Sequence, residues 1–454
     1  MVSDPNLGKE DKEYLENALP RYLAFFDSLE SAVQEEVAGL ASLAVKARVK
    51  PYPGLWDFLQ TQKRMQEVHE SEQTAWFEAL RGMLKANRGR YFSELVSRTR
   101  DFLMEGLLYR SRSVCWRVSG ADFRFHADPE PVFCFEKVDL LCQVLNDSSV
   151  IYDASGCFYP LKDRFDGQGG RLDWTRVGFS PDTCWADLLD YSLNLQHGRY
   201  ESAALFHNLS LFPDALRGTV SERLASNQKT EDSRYPQFAS EADKLDIRDL
   251  YSGVDVTGPF VQHGARVEFG LEGREACVTV RKGGRVQSRI HSDRIVLEKD
   301  RMTVPEARFV LYLEEDSLYN PMVFVRFENR ERVMHVGNVE NIGLEFPYID
   351  TYHCLRMEME ALRWYLEEDR VDIGLLDVPG REGVVSFKSL DMYSREEIGH
   401  LMLGVSVSPV YTIRDMAKQA GANEFSLQDL ASFIRNSKSQ ALSLIRELMA
   451  YGYV

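Results

Sequence analysis

Apolar residues recur at every third or fourth position near the start of the chain and at every second position through its middle. Tyr14, Leu15, Leu19, Tyr22, Leu23, Phe26, Leu29 and Val33 form one stripe, because 3.6 residues per turn bring such positions to one helix face. Pro20 is expected to restart that helix at a first turn, and Lys50-Pro51-Tyr52-Pro53-Gly54 interrupts the pattern. A second stripe through Trp76, Leu80, Met83 and Leu84 ends near Asn87 and Gly89, and a third runs from Phe92 to Leu107. Residues 1–113 are therefore predicted to form a bundle of about three helices.

From Cys115 the period drops to two. Trp116/Val118, Phe123/Phe125 and Val132/Cys134 alternate with polar residues, and glycines and prolines supply turns, so 114–224 is expected to be a β-rich domain. Within it, Ser180-Pro181-Asp182 has the chemistry of a helix start and predicts a short helix through Trp185, Leu188 and Leu189. Residues 198–212 fit helix and strand equally. The polar stretch 225–245 reads as a linker and the best boundary in the chain. Residues 246–404 are expected to be a mainly β domain, clearest in the hairpin Cys277 to Ser288 around Gly283-Gly284. Further strands are predicted at short intervals, including 355–365 as one strand and 384–387. No fixed-period repeat is visible, so a sandwich or barrel is expected rather than a solenoid.

Residues 405–454 return to helix. One helix is predicted over 411–420, ended by Gly421 and Asn423, a second is capped by Ser426, and a third runs from 438 to 451. A short helix, a tight turn and a longer helix resemble a winged-helix domain whose wing is missing. The fold class that results is a multidomain α+β protein: an N-terminal helical bundle, a β-rich sandwich-like or barrel-like middle, and an incomplete winged-helix-like tail.

Composition restricts what such a chain can do. The 454 residues carry 54 Lys+Arg against 70 Asp+Glu, a net charge of −16, with 44% hydrophobic residues. The excess sits in 114–245 (−7) and 246–404 (−9), while 1–113 carries −1 and 405–454 carries +1. Nucleic-acid binding needs cations to neutralise phosphates, so it is disfavoured for the middle and left only to the tail, through Lys438, Gln440 and Ser443. No apolar run is long enough to span a membrane and no leader pattern is visible. A cytoplasmic location is the default, with a periplasmic or exported one if a leader has been removed. The seven cysteines are scattered among apolar neighbours, which favours a reduced compartment, with a Cys134–Cys142 pair as the open alternative.

Motifs for nucleotide, metal or nucleophilic chemistry are absent, and neither catalytic residues, nor a metal, nor a cofactor is expected. Asp166 to Gly170 opens a strand rather than a helix and reads as a turn, not a phosphate loop. His126, Asp128 and Glu130 read as an exposed turn, and Asp350 to Cys354 as strand-end polar residues. Two groups remain as candidate sites. Tyr152, Phe158, Tyr159 and Trp174 lie among glycines and fit either a β core or a flat platform for a glycan or peptide. Arg281, Lys282, Arg285 and Arg289 form a basic stripe on the hairpin that fits a solvated face or an anionic partner.

Asp147 to Tyr152 through Gly169 to Trp174, then Glu315 to Pro321, together with the tail, resemble large uncharacterised multidomain bacterial proteins. The resemblance implies a fragment of a longer, exported chain and carries over no catalytic residue. The expected function is a non-enzymatic scaffold or binding protein with a protein partner. The alternatives are a carbohydrate-active or other hydrolytic enzyme using acidic residues of the β regions, and a DNA-binding regulator acting through the tail.

Overall fold

The computed structural model describes residues 8–119, 122–225, 233–298, 300–339, 346–368, 370–374, 385–390, 408–421 and 425–450. It is an α+β protein. Contacts divide the chain into two compact units, 1–241 with 263–265, and 242–262 with 266–454.

The first unit opens with five helices, α1 (Lys9–Asp27), α2 (Ser31–Lys46), α3 (Trp56–Val68), α4 (Glu70–Lys85) and α5 (Gly89–Glu105). The sequence suggested about three. Pro20 lies inside α1 rather than at a restart, and the break at Pro51 to Gly54 leads directly into α3. Gly106 closes α5 in the left-handed conformation, φ 64°. An added Cβ there would collide with the Val118 carbonyl, so only glycine makes this turn from helix to sheet.

Twelve strands follow in this unit: β1 (Leu107–Arg110), β2 (Val114–Ser119), β3 (Phe123–His126), β4 (Val132–Val144), β5 (Asp147–Tyr159), β6 (Arg164–Gln168), β7 (Arg171–Asp173), β8 (Cys184–Leu188), β9 (Asp190–Asn194), β10 (Arg199–Asn208), β11 (Leu216–Arg223) and β12 (Gln237–Ser240). The helix expected after Ser180 is the strand β8. Its local helix-start chemistry is overridden because β8 pairs with β7 on one edge and β10 on the other. The undecided segment 198–212 contains β10, and β12 lies inside the stretch read as a linker.

The second unit contains β13 (Leu245–Tyr251), β14 (Val254–Gly258), all but the last residue of β15 (Phe260–His263), β16 (Arg266–Phe269), β17 (Ala276–Lys282), β18 (Arg285–Ser292), β19 (Ile295–Leu297), β20 (Arg301–Leu313), β21 (Asp316–Glu328), β22 (Val333–Gly337), β23 (Tyr348–Asp350), β24 (Leu355–Glu358), β25 (Ala361–Tyr365), β26 (Arg370–Gly374) and β27 (Ser386–Ser389). The single strand expected over 355–365 is two, β24 and β25, and Val384 lies outside the described residues. Three helices, α6 (Pro409–Ala420), α7 (Leu427–Phe433) and α8 (Lys438–Ala450), pack through Met416, Leu430, Ala431 and Ala441. Gly421 ends α6, and Ser426 caps α7 in a capping box with Asp429. Asn423 and 451–454 lie outside the described residues.

A duplication that the sequence did not reveal organises both units. The hairpin β4–β5 pairs Phe133 with Phe158, Cys134 with Cys157 and Phe135 with Gly156, then bulges around Val138↔Ala154 before resuming at Leu140↔Ile151. Adding 169 to each number gives Met302↔Phe327, Thr303↔Arg326, Val304↔Val325, Ala307↔Val323 and Phe309↔Asn320, which are the pairs and bulges of β20–β21. The same shift converts every β5–β6 pair into a β21–β22 pair. Around each bent hairpin the neighbours recur: β1–β2–β4 as β17–β18–β20, β3–β4 as β19–β20, β6–β9 as β22–β25 and β8–β10 as β24–β27. At each bulge the long strand changes neighbours, so one half of β4 pairs with β3 and the other with β2. Among the described residues these pairings form open sheets and do not close into the barrel the sequence allowed.

The edges of the two copies are finished differently. In the second, β14 and β16 pair with β17 and β19. In the first, helices occupy the corresponding place: Glu72 of α4 accepts the Phe125 amide of β3 at 2.7 Å. His69 lies 4.3 Å from the Phe123 ring, and Phe102 of α5 sits 5.1–5.7 Å from Phe123, Phe133 and Phe135. A sheet edge is thereby covered by side chains instead of by another strand.

Candidate functional site

The four aromatic candidates do not share a surface. Alternation along the strands turns Phe158 inward, fully buried beside Phe133, and Trp174 is fully buried 5.0 Å from Phe206, which stacks on Phe238 at 4.3 Å. Neither ring presents a face to solvent, so for Phe158 and Trp174 the structure takes the core of the two readings and not the platform. Tyr159 lies beneath Arg164 and Lys162, and only Tyr152 is well exposed. The surface tryptophan of this sheet is Trp185. Arg171 from β7 covers it at 4.5 Å, and His207 from β10 stacks on it at 4.3 Å and 8° while reaching Asp187 at 3.0 Å. Both neighbouring strands thus contribute a partner to the half-buried indole.

The basic stripe is better assembled than the sequence could show. Three chain reversals of the second unit meet around a cleft of about 510 Å³: the β13–β14 turn with Asp249, Ser252 and Gly253, the Gly283-Gly284 turn of β17–β18, and the loop that carries Arg332 into β22. Arg248, Arg281, Lys282 and Arg332 line it together with Trp364 and Leu366 of the β25 end. Both turn glycines have positive φ, 59° and 80°, the conformation a two-residue hairpin needs.

The carboxylates in the cleft are engaged by its own walls. Asp255 pairs with Arg281 at 2.8 Å and accepts the Asp249 amide at 3.0 Å. Asp249 accepts the Gly253 amide at 3.1 Å. Glu367 pairs with Arg332 at 3.0 Å, and Arg332 also donates to the Ser252 carbonyl at 2.6 Å. These contacts hold Arg281 and Arg332 in place, and Lys282 donates to the Glu367 carbonyl at 3.5 Å; Arg248, Arg281, Lys282 and, directly opposite Lys282 in the hairpin, Arg285 are exposed. Arg289 lies farther along the hairpin, opposite Thr279, and does not line the cleft. Arg248 and Arg332 were missed in the sequence because they are 33 and 51 residues from Arg281 and only the folding of two other loops brings them to it.

Other groupings do not build a reactive site. His353 donates its amide to Asp350 and meets the same carboxylate through Nδ1 at 2.8 Å, a turn that orders itself. Cys277 Sγ lies 3.6 Å from His291 Nε2, but burial pushes its thiol up, away from the reactive thiolate. Glu130 pairs with Lys162 at 2.6 Å. In the tail, the Gln440 side chain accepts from Ser437, and Ser443 donates to the Ser439 carbonyl at 3.1 Å, so two of the three supposed base readers are occupied within α8 and its cap. Among the described residues no three His, Cys, Asp or Glu side chains gather as a metal site, and no helix is long and apolar enough to cross a membrane.

Cysteine pairing also differs from expectation. Cys134 is bonded to Cys157, its cross-strand partner in β4–β5, and not to Cys142, which is buried as a free thiol.

No family model matches the sequence, and no curated protein matches it. Among solved structures, the crystal structure of LptH, the LptA homologous periplasmic component of the conserved lipopolysaccharide transport device from Pseudomonas aeruginosa, aligns with 35% of this chain and 96% of its own. The identity is 13% and the TM-score 0.18, a likeness that carries no argument.

Proposed function

We propose that the chain is a non-enzymatic binding scaffold, built on a duplicated β module, whose second unit docks an acidic segment of a protein partner in the cleft of Arg248, Arg281, Lys282 and Arg332. The observation that carries this reading is the convergence of four cations from three loops in a chain of net charge −16, with the cleft's carboxylates already engaged. Cations held by ion pairs lose less side-chain freedom on binding than free ones, and charge complementarity speeds encounter. Trp364 and Leu366 complete the lining as buried apolar side chains. The Cys134–Cys157 disulfide supports placing the chain in an oxidising compartment, contrary to the reduced one expected from cysteine spacing.

Fluorescence anisotropy with labelled hexaglutamate tests the docking site. Saturable binding that weakens as salt rises is expected, with Arg248→Glu/Lys282→Glu binding at least tenfold more weakly and hexalysine not binding. These two side chains are exposed, so the fold should be retained. Equal affinity in the double variant, or none in the parent at low salt, contradicts the reading.

A further inference from the structure

The helical region holds a second cleft of opposite character to the acidic middle of the chain, about 490 Å³ in volume and lined by residues of α1, α3 and α5. Its walls follow from helical periodicity. Tyr14, Asn17, Ala18 and Arg21 repeat at three and four along α1, as Gln60, Lys63, Arg64 and Glu67 do along α3. The helices are locked by Leu15, Tyr22 and Trp56, which are buried together, and the Tyr22 hydroxyl donates to Gln62 Oε1 at 2.9 Å.

Three cations and one carboxylate face this space. Glu67 lies 3.9 Å from Lys63 and 4.0 Å from Arg64, at the outer limit of an ion pair, and Arg21 has no ion pair among the described residues. The apolar part of the lining is open: Tyr14 is 49% and Met104 48% exposed. Three cations against one carboxylate leave the lining with an excess of positive charge, and a thioether and a phenol ring exposed to water forgo burial; one ligand would relieve both. The volume lies in the range of small-molecule sites.

We infer that this cleft binds a small anionic amphiphile, with its carboxylate or phosphate among Arg21, Lys63 and Arg64 and its apolar body on Tyr14 and Met104. The site is in the first unit and does not depend on the acidic-segment cleft of the second. A bare anion lacks the apolar contact, and a neutral amphiphile lacks the charge, so each should bind more weakly than a ligand with both.

Isothermal titration of the full chain with decanoate, decanol and inorganic phosphate tests this. Decanoate should bind with one-to-one stoichiometry, and decanol and phosphate at least tenfold more weakly. Arg21→Glu/Lys63→Glu should weaken decanoate at least tenfold while leaving the far-ultraviolet circular dichroism unchanged; Arg21→Gln/Lys63→Gln should fall between. Equal binding of decanol and decanoate, phosphate binding as tightly as decanoate, undiminished affinity in a correctly folded charge-reversal variant, or no saturable decanoate binding overturns the inference.

Discussion

Glu222 lies near the end of β11 with 1% of its side chain exposed, and its carboxylate is held by three donors: Arg176 at 2.6 Å, the Arg223 amide at 2.9 Å and Ser149 at 3.1 Å. Arg176 also grips both oxygens of Asp147 at 3.0 Å. Burial raises the Glu222 carboxyl above its ordinary value of 4.5, opposed by Arg176, the Arg223 amide and Ser149. A carboxyl raised on folding binds its proton more tightly in the folded state, so its contribution to stability falls as pH rises from about 4.5 through the raised folded value. Glu222→Gln should flatten that part of the pH profile. Arg176→Met leaves two carboxylates without their cation and should cost about 3–5 kcal/mol in urea unfolding followed by tryptophan fluorescence. A loss below about 1 kcal/mol would show that the network does not hold Glu222 charged in the core. The Arg176–Glu222 pair was not legible in the sequence, because the two are 46 residues apart and only the sheet brings them together.

Elements were legible where the pattern was long and local. The Gly283-Gly284 hairpin and the Ser426 cap encode their structure within a few residues and are found, whereas the first stripe crosses the break at Ser28 so that Val33 belongs to α2, and the third overruns α5 so that Leu107 belongs to β1. The Ser180-Pro181 start failed because cap chemistry is worth only about 1 kcal/mol, less than the pairing of β8 along both edges. The aromatic cluster was ambiguous for a related reason: alternation shows that Phe158 and Tyr159 face opposite ways, but not which face is covered. The cysteine pairing required the register of β4 on β5, which fixes Cys134 opposite Cys157. Seven cysteines with one bridge leave five thiols. Titration with a thiol reagent in denaturant should therefore count five without reductant and seven after reduction; seven in both would remove the bridge and the oxidising compartment with it.

At the scale of the whole molecule, two copies of one bent-hairpin module explain why both β-rich regions resemble each other in strand spacing while sharing little sequence. Across the 28 positions of each long hairpin only Asp147/Asp316, Ser148/Ser317 and Phe158/Phe327 are identical. What is kept is the burial alternation and the two-residue bulge, filled by Glu136-Lys137 in one copy and Pro305-Glu306 in the other. Such a pattern escapes a search for repeated residues, since a sheet face accepts any apolar side chain of suitable size. Repetition provides a framework whose loops and strand positions can differ, and they do: the cationic cleft at the turns belongs to the second copy and the cross-strand disulfide to the first. The duplication is tested most directly by transplanting that disulfide. Thr303 and Arg326 are the register counterparts of Cys134 and Cys157, so Thr303→Cys/Arg326→Cys should form a second bridge spontaneously, and the denatured variant should show the same thiol count as the parent. Two additional thiols in a folded variant would contradict the shared register.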